Sequence, residues 1–236
     1  MILAIDSSSL VASVALVDEN TVIAEYTMNL KKTHSQTLLP MINEIFKMTG
    51  IDKKSLSAIA VAQGPGSFTG LRIGAATAKG LALALDLPIV GVSTIEMMAY
   101  NFNHCNKLIC PIMDARRNQV YTGIYECEKD ELKQVVEDVA LSIEELIEKI
   151  GSIGKEVIFI GDGIPVFQEV IDQTLKIPHY YANQHLNRQQ SSSLGVLGLK
   201  KLAEGKAVKS DYFAPVYMRM SQAERERLEN GKENEN

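Results

Sequence analysis

Tryptophan is absent, and cysteine is scarce: Cys105, Cys110 and Cys127 are odd in number and never spaced as Cys-x-x-Cys. That excludes a disulfide framework and a thiolate zinc site, and it fits reduced thiols in the cytosol. No apolar run approaches the ~20 residues of a membrane-spanning helix; the longest lies around residues 80–85. The chain begins directly on a strand that carries Asp6, with no resemblance to a signal peptide, so a cytoplasmic protein is expected. Basic residues are in deficit. A net charge of −5 and a pI near 5.5 leave the unaided chain without the cationic face that nucleic acid requires. Lys31-Lys32, Lys53-Lys54 and Arg116-Arg117 are adjacent basic pairs, and each reads as a solvated surface pair. The four histidines, His34, His104, His179 and His185, show no i,i+4 spacing, so no metal-binding pair is present.

What is present is volume for a core: 236 residues with 46% hydrophobic content suit one large or two modest domains. The most informative stretch is LSAIAVAQGPGSFTGLRIGAATAKGLALAL, residues 56–85. An apolar run ends at Gln63, a Gly64-Pro65-Gly66 turn follows with Ser67, and a long Ala/Leu/Gly-rich segment comes after. The order is strand, tight turn, helix. Two readings fit: backbone N–H groups gathered at a helix start to hold a phosphate, or glycines that only permit close packing. The Walker pattern is missing, because no Gly-Lys-Ser/Thr follows the turn.

The N-terminus reads as a meander: a buried strand over 2–6, an alternating strand over 11–18 and a third over 21–30. Asp6 ends the first strand, with Ser7, Ser8 and Ser9 in the turn behind it. It is placed either to face a ligand at the carboxyl edge of a sheet or simply to cap its own turn. A helix over 34–48, a strand over 56–62, a helix over 71–85 and a short strand over 88–92 complete the first half. The second half repeats the order. LICPIMDARRNQVYTGIYE gives a strand ending in Asp114, a polar turn and an alternating strand; a third strand lies near 132–140. Ser142 and Glu145 form a capping box for a helix over 143–150. A strand over 157–160, a Gly161-Asp162-Gly163 turn and a helix near 165–175 follow. Thus βββαβα occurs twice, each copy with an acid after its first strand and Gly-x-Gly after its fourth. The expected class is α/β, an actin-like (ASKHA) duplication of a ribonuclease-H-like lobe, with lobes at 1–104 and 105–220. The remainder, 221–236, is a charged tail too poor in apolar residues to order itself.

Seven segments in order, ILAIDSSS, HSQTLLP (34–40), GPGSFTGLRIG (64–74), GVSTIEMMA (91–99), MDARRNQVY (113–121), GDG (161–163) and PVYMR (215–219), resemble the bacterial TsaB (YeaZ) family. The resemblance runs from residue 2 to about 225. It implies a cytosolic heterodimer with the catalytic paralogue TsaD, joined by the ATPase TsaE. The complex places threonylcarbamoyl on adenosine 37 of tRNAs that read ANN codons, and tRNA is met only through it. The catalytic paralogue carries a metal-binding His-x-x-x-His in a stretch resembling GVNHLEGH. Here that stretch is Gly91-Val92-Ser93-Thr94-Ile95-Glu96-Met97-Met98, so the two histidines become Thr94 and Met98. A hydroxyl and a thioether are poor ligands for such an ion. The expectation is therefore an accessory subunit with no catalytic residue, cofactor or metal.

The helix over 71–85 is apolar or small on nearly every side and must be covered all round. With the resemblance, this makes the helices 34–48 and 71–85 the expected partner face, through His34, Leu39, Phe46, Ala75, Ala78 and Ala82, with self-association when the chain is alone. A vestigial nucleotide site is expected at Asp6, Ser7, Ser8, Gly64, Gly66, Ser67, Gly161 and Gly163. Two other classes use the same elements: an ATP-dependent phosphotransferase of the actin-like kinase group, which would need insertions this length does not hold, and a metallopeptidase, which lacks ligands here.

Overall fold

Side-chain alternation sets which way each strand faces, and the computed structural model of the protein, which describes residues 1–219, shows where each face goes. β1 (Ile2–Asp6), β2 (Val11–Val17) and β3 (Val22–Asn29) form the expected antiparallel meander. β4 (Ala58–Gly64) and β5 (Ile89–Ser93) add in parallel, giving the order β3-β2-β1-β4-β5. Leu3, Ile5, Val14 and Val61 point to one face, where α1 (His34–Thr49) and α2 (Phe68–Leu85) cover them. Ile2, Ala4, Ala15 and Ala60 point to the other. Both faces are buried, which is why β1 reads as an apolar run up to Asp6; β2, expected to alternate, is buried throughout, including Ser13.

The second sheet repeats the first. β6 (Leu108–Asp114), β7 (Gln119–Glu128) and β8 (Glu131–Ser142) are antiparallel, while β9 (Val157–Ile160) and β10 (His179–Tyr181) are parallel additions. The order, read from its meander, is again meander strands three, two and one and then the two parallel strands. α4 (Ile143–Ile153) and α5 (Ile164–Thr174) cover one face. The Ser142–Glu145 capping box at the start of α4 is formed in both directions. All three cysteines are free thiols, and burial pushes the Cys110 thiol up to about 12. The duplicated two-lobe α/β fold expected from the order of elements is the fold observed.

The lobe boundaries are different. α3 (Thr94–Tyr100) follows the first sheet in sequence, yet its Ile95, Met98 and Ala99 pack with Ile109, Met113 and Tyr125 of the second. α6 (Ser191–Ala203), a helix absent from the expected elements, follows the second sheet, yet Leu194 and Leu197 pack on the first. The two lobes thus exchange their last helices. From the end of α6 to Phe213 the chain stays with the first lobe: Ile89 and Val208 exchange backbone hydrogen bonds of 2.8 Å, and Phe213 enters the first core. A division at 104/105 with everything to 220 in the second lobe is therefore corrected. The charged tail, 221–236, lies outside the described residues.

α6 lies close on its sheet because of two glycines. A Cβ at Gly195 would stand 2.5 Å from Val17 Cγ2, and one at Gly198 would stand 2.6 Å from the Ala60 Cβ. Gly198→Leu is expected to force helix and sheet apart. The loss should be about 2–3 kcal/mol, or a melting temperature lower by about 5–10 °C in calorimetry. Gly151→Ala, where an added methyl meets nothing within 4 Å, should not lower it.

Candidate functional site

β1 and β6 occupy equivalent places in the two sheets and deliver Asp6 and Asp114 to equivalent turns. Each acid uses one oxygen on its own turn: the Ser8 N–H donates to Asp6 Oδ1 at 3.0 Å, and the Arg116 N–H donates to Asp114 Oδ1 at 2.8 Å. Between the turns lies a cleft of about 650 Å³, lined by Ser8, Ser9 and His34 on one side and by Asp114, Arg116 and Asp162 on the other. Of the residues expected here, Ser8, Gly66 and Ser67 line the cleft, and they are joined by His34, which was expected at the partner face. Asp6 and Ser7 lie buried just behind it.

The glycine-rich turn meets the β1–β2 turn so closely that most of its polar groups bond to protein. The Gly64–Pro65 peptide is cis. The Ser67 N–H donates to Ser8 O at 2.7 Å, and the Ser7 hydroxyl donates to Gly70 O at 2.9 Å. Ser67 Oγ caps α2 by accepting the Gly70 N–H at 3.2 Å. A Cβ on Gly66 would stand 2.2 Å from Ser8 O, and one on Gly70 would stand 2.0 Å from Ser7 O. Close packing is thus what these glycines provide. Gly64 is closed from outside as well, with Val216 O 2.3 Å from where its Cβ would be. Gly161 is likewise occupied: its N–H donates to Asn187 Oδ1 at 2.6 Å. Gly163 donates its N–H to Ile112 O at 3.0 Å.

Three buried polar atoms on the first-lobe side have no partner among the described residues: Asp6 Oδ2, Ser8 Oγ and His34 Nδ1. His34 Nε2 donates to Ser9 O at 2.7 Å and so ties the start of α1 to the β1–β2 turn. Burial raises the Asp6 carboxyl to about 6, opposed by hydrogen bonding at Ser8 and by the nearby His34. Burial raises Asp162 also, against the hydrogen bond it accepts from the Asp114 N–H. The stretch that holds histidines in the catalytic paralogue is core here. Thr94 and Met98 are both fully buried, and Glu96 pairs with Lys201 at 2.6 Å. Among the described residues no three His, Cys, Asp or Glu side chains are grouped to hold a metal ion.

The C-terminal strap was the element least visible beforehand. Residues 213–219 run along α2, where Lys79 donates to Phe213 O at 3.1 Å and the Val216 N–H donates to Gln63 O at 2.7 Å. They then cross to the second lobe, where Arg219 Nη1 donates to Ala115 O at 2.6 Å. Val216, Tyr217 and Arg219 form one wall of the cleft. PVYMR marks the strap only as a motif, since an extended segment has no periodicity to read.

The expected partner face needs a correction of detail. Ala75, Ala78, Ala82 and Phe46 all sit in the first core, at 6, 0, 1 and 7% exposure. They face the sheet, and a partner cannot reach them. The outward side of α2 is Arg72, Ala76, Gly80, Leu83 and Ala84. Leu83 is 74% exposed, and Leu39 and Met48 of α1 are exposed at 53 and 68%. Of the six residues expected at the interface, Leu39 is the one clearly available.

A family model described as TsaD, tRNA N6-adenosine threonylcarbamoyltransferase, matches residues 21–227. The tRNA threonylcarbamoyladenosine biosynthesis protein TsaB of Bacillus subtilis is 38% identical over 98% of this chain and 99% of that protein. The Escherichia coli protein of the same name is 31% identical over 92% of this chain and 94% of its own length. The solved structure of YeaZ from Pseudomonas aeruginosa superposes with a TM-score of 0.79 at 26% identity, covering 92% of this chain and 98% of that one. An inorganic polyphosphate/ATP-glucomannokinase from Arthrobacter shares the fold alone, at a TM-score of 0.52 and 9% identity. On full-length identity, fold and the order of its motifs, the chain belongs to the TsaB (YeaZ) family of tRNA threonylcarbamoyladenosine biosynthesis proteins.

Proposed function

We propose that this chain is the non-catalytic subunit of a cytoplasmic complex that forms N6-threonylcarbamoyladenosine at position 37 of tRNAs reading ANN codons. A TsaD-type protein supplies the transferase centre, and a TsaE-type ATPase joins the assembly. The observation that carries this reading is the fate of the stretch that aligns with the paralogue's metal-binding segment: Thr94 and Met98, both in α3, are fully buried core residues, and α3 packs against the second sheet. The closed glycine-rich turn supports it, because three of the groups that could cradle phosphate already bond to protein. Any nucleotide affinity left at Ser8, Gly66 and Ser67 is vestigial. The exposed side of α1 and α2 is where the TsaD-type partner docks, or a second copy of this chain in its absence.

Purified alone, the protein is expected to show neither ATP hydrolysis nor threonylcarbamoyl transfer. Modification of tRNA should appear when the TsaD-type subunit, the TsaE-type ATPase and a source of threonylcarbamoyl-AMP are added, and disappear when this chain alone is left out. Turnover by the isolated chain, or full activity without it, overturns the reading. Nucleoside analysis of the tRNA reports either outcome.

A further inference from the structure

We propose that the two basic pairs at the mouth of the cleft, Lys31-Lys32 and Arg116-Arg117, contact RNA phosphates when the chain works in its complex; this rests on the function proposed above. The pairs belong to different lobes. Lys32, from the β3–α1 loop, and Arg116, from the β6–β7 turn, line the same cleft together with Arg219. All four residues of the two pairs are exposed. Lys31, Lys32 and Arg117 have no carboxylate partner among the described residues, whereas Lys107, Lys133, Lys155 and Lys201 each have one. Arg116 has Asp114 at 3.3 Å.

The turn that carries the arginines is strained. Arg116, Arg117 and Asn118 all lie in the left-handed region, at φ 65°, 56° and 58°. For residues with a Cβ this costs about 1 kcal/mol or more each, and glycine would relieve it. The surroundings hold the turn in place from several sides. Asp114 accepts the Arg116 N–H, Asn118 Nδ2 donates to Glu144 at 2.9 Å, and Arg219 holds Ala115 O. The guanidinium groups are therefore presented from a fixed base, which favours contacts to phosphate over a wandering surface charge.

Rings on the same rim favour RNA over an acidic protein surface. Phe68 and Tyr217 line the cleft with centroids 4.7 Å apart, and the Arg72 guanidinium lies 3.9 Å over Phe68. Tyr217 is exposed and Phe68 half-buried, and cations beside an accessible ring are the chemistry of single-stranded nucleic acid, where phosphates meet charge and bases stack. Four cations on a chain of net charge −5 do not hold tRNA unaided. They add to whatever basic surface the partner brings.

The test uses this protein assembled with its TsaD-type subunit and labelled tRNA, with anisotropy read between about 50 and about 300 mM salt. The rim variant is Lys32→Ala with Arg117→Asn, because asparagine accepts the left-handed backbone. The control is Lys54→Ala with Lys149→Ala, two exposed lysines that do not line the cleft. The rim variant is expected to lower the slope of log affinity against log salt by about 1.5–2 and to weaken binding at least about tenfold. The control should bind as wild type does, and both variants should still co-elute with the partner. An unchanged slope in the rim variant overturns the inference while the functional reading stands. Loss of the partner instead of the tRNA overturns it in favour of a protein interface. A wild-type assembly that binds no tRNA takes down the functional reading and this inference together.

Discussion

Gly80→Arg combined with Leu83→Glu should leave a folded monomer that no longer holds its TsaD-type partner. α2 has small or apolar residues on almost all sides, but only one side is free: Ala76, Gly80, Leu83 and Ala84 are exposed, while Ala75, Ala78 and Ala82 are in the core. A Cβ on Gly80 meets nothing within 4 Å, so the monomer accepts arginine there, and losing a mid-helix glycine is itself favourable by about 0.5–1 kcal/mol. In an interface, by contrast, two bulky charged side chains replace a close apolar approach and must be desolvated against an apolar surface. A loss of at least about 100-fold in affinity is expected, about 3 kcal/mol. Ala78→Arg is the contrasting variant. Its side chain has nowhere to go but the first core, so it should unfold the protein and leave its helices fully paired in no folded population. Titration calorimetry with the partner, with circular dichroism as the folding check, separates the two. A folded double variant that binds at wild-type affinity removes α2 from the interface.

The second large effect is at Asp6. A carboxyl whose folded value is raised from 3.8 to about 6 favours the protonated form of the folded state. Its contribution to stability is therefore fully present below about pH 4, declines as pH rises through about 6, and stays lost above. The displacement corresponds to about 3 kcal/mol at about 1.4 kcal/mol per tenfold change in proton affinity. Asp6→Asn keeps the oxygen that accepts the Ser8 N–H and removes the titration. The variant should match wild type near pH 4 and exceed it above pH 6, by about 6–12 °C in melting temperature. Melting curves that run parallel from pH 4 to pH 8 would show that the buried acid carries no such penalty.

How much of this was legible beforehand depended on whether the residues had a period. Both meanders and the helix starts at His34 and Ser142 follow from alternation, caps and breakers, so the duplicated order of elements was readable; α2 begins at Phe68, ahead of the expected residue 71, because Ser67 caps it. α2 has no polar side, so its sequence says that it is covered but not which residues face the sheet. Three chosen alanines consequently proved internal. α6 was not read at all; its Gly195 and Gly198 are poor helix formers that only the contact with Val17 and Ala60 makes necessary. At the cleft, Asp6 and Ser8 were identifiable as site residues, whereas His34 was assigned to the partner face and instead lines the cleft. The actual bonds were not identifiable, since His34 reaches a backbone carbonyl 25 positions away and Val216 seals Gly64 from the far end of the chain. Pairings at that distance leave no local pattern.

The exchange of α3 and α6 bears on how the molecule comes off the ribosome. When residues 1–104 have emerged, the first sheet has its five strands but lacks α6, and the β5 strand lacks its partner at Val208. Apart from Met97, the buried helical residues that pack on Ile2, Ala4, Ala15 and Ala60 come from α6, which is complete only at residue 203, after the whole second sheet has been made. The nascent chain therefore carries an incompletely covered apolar sheet while the second sheet is being made, and the lobe that appears first is completed after the other.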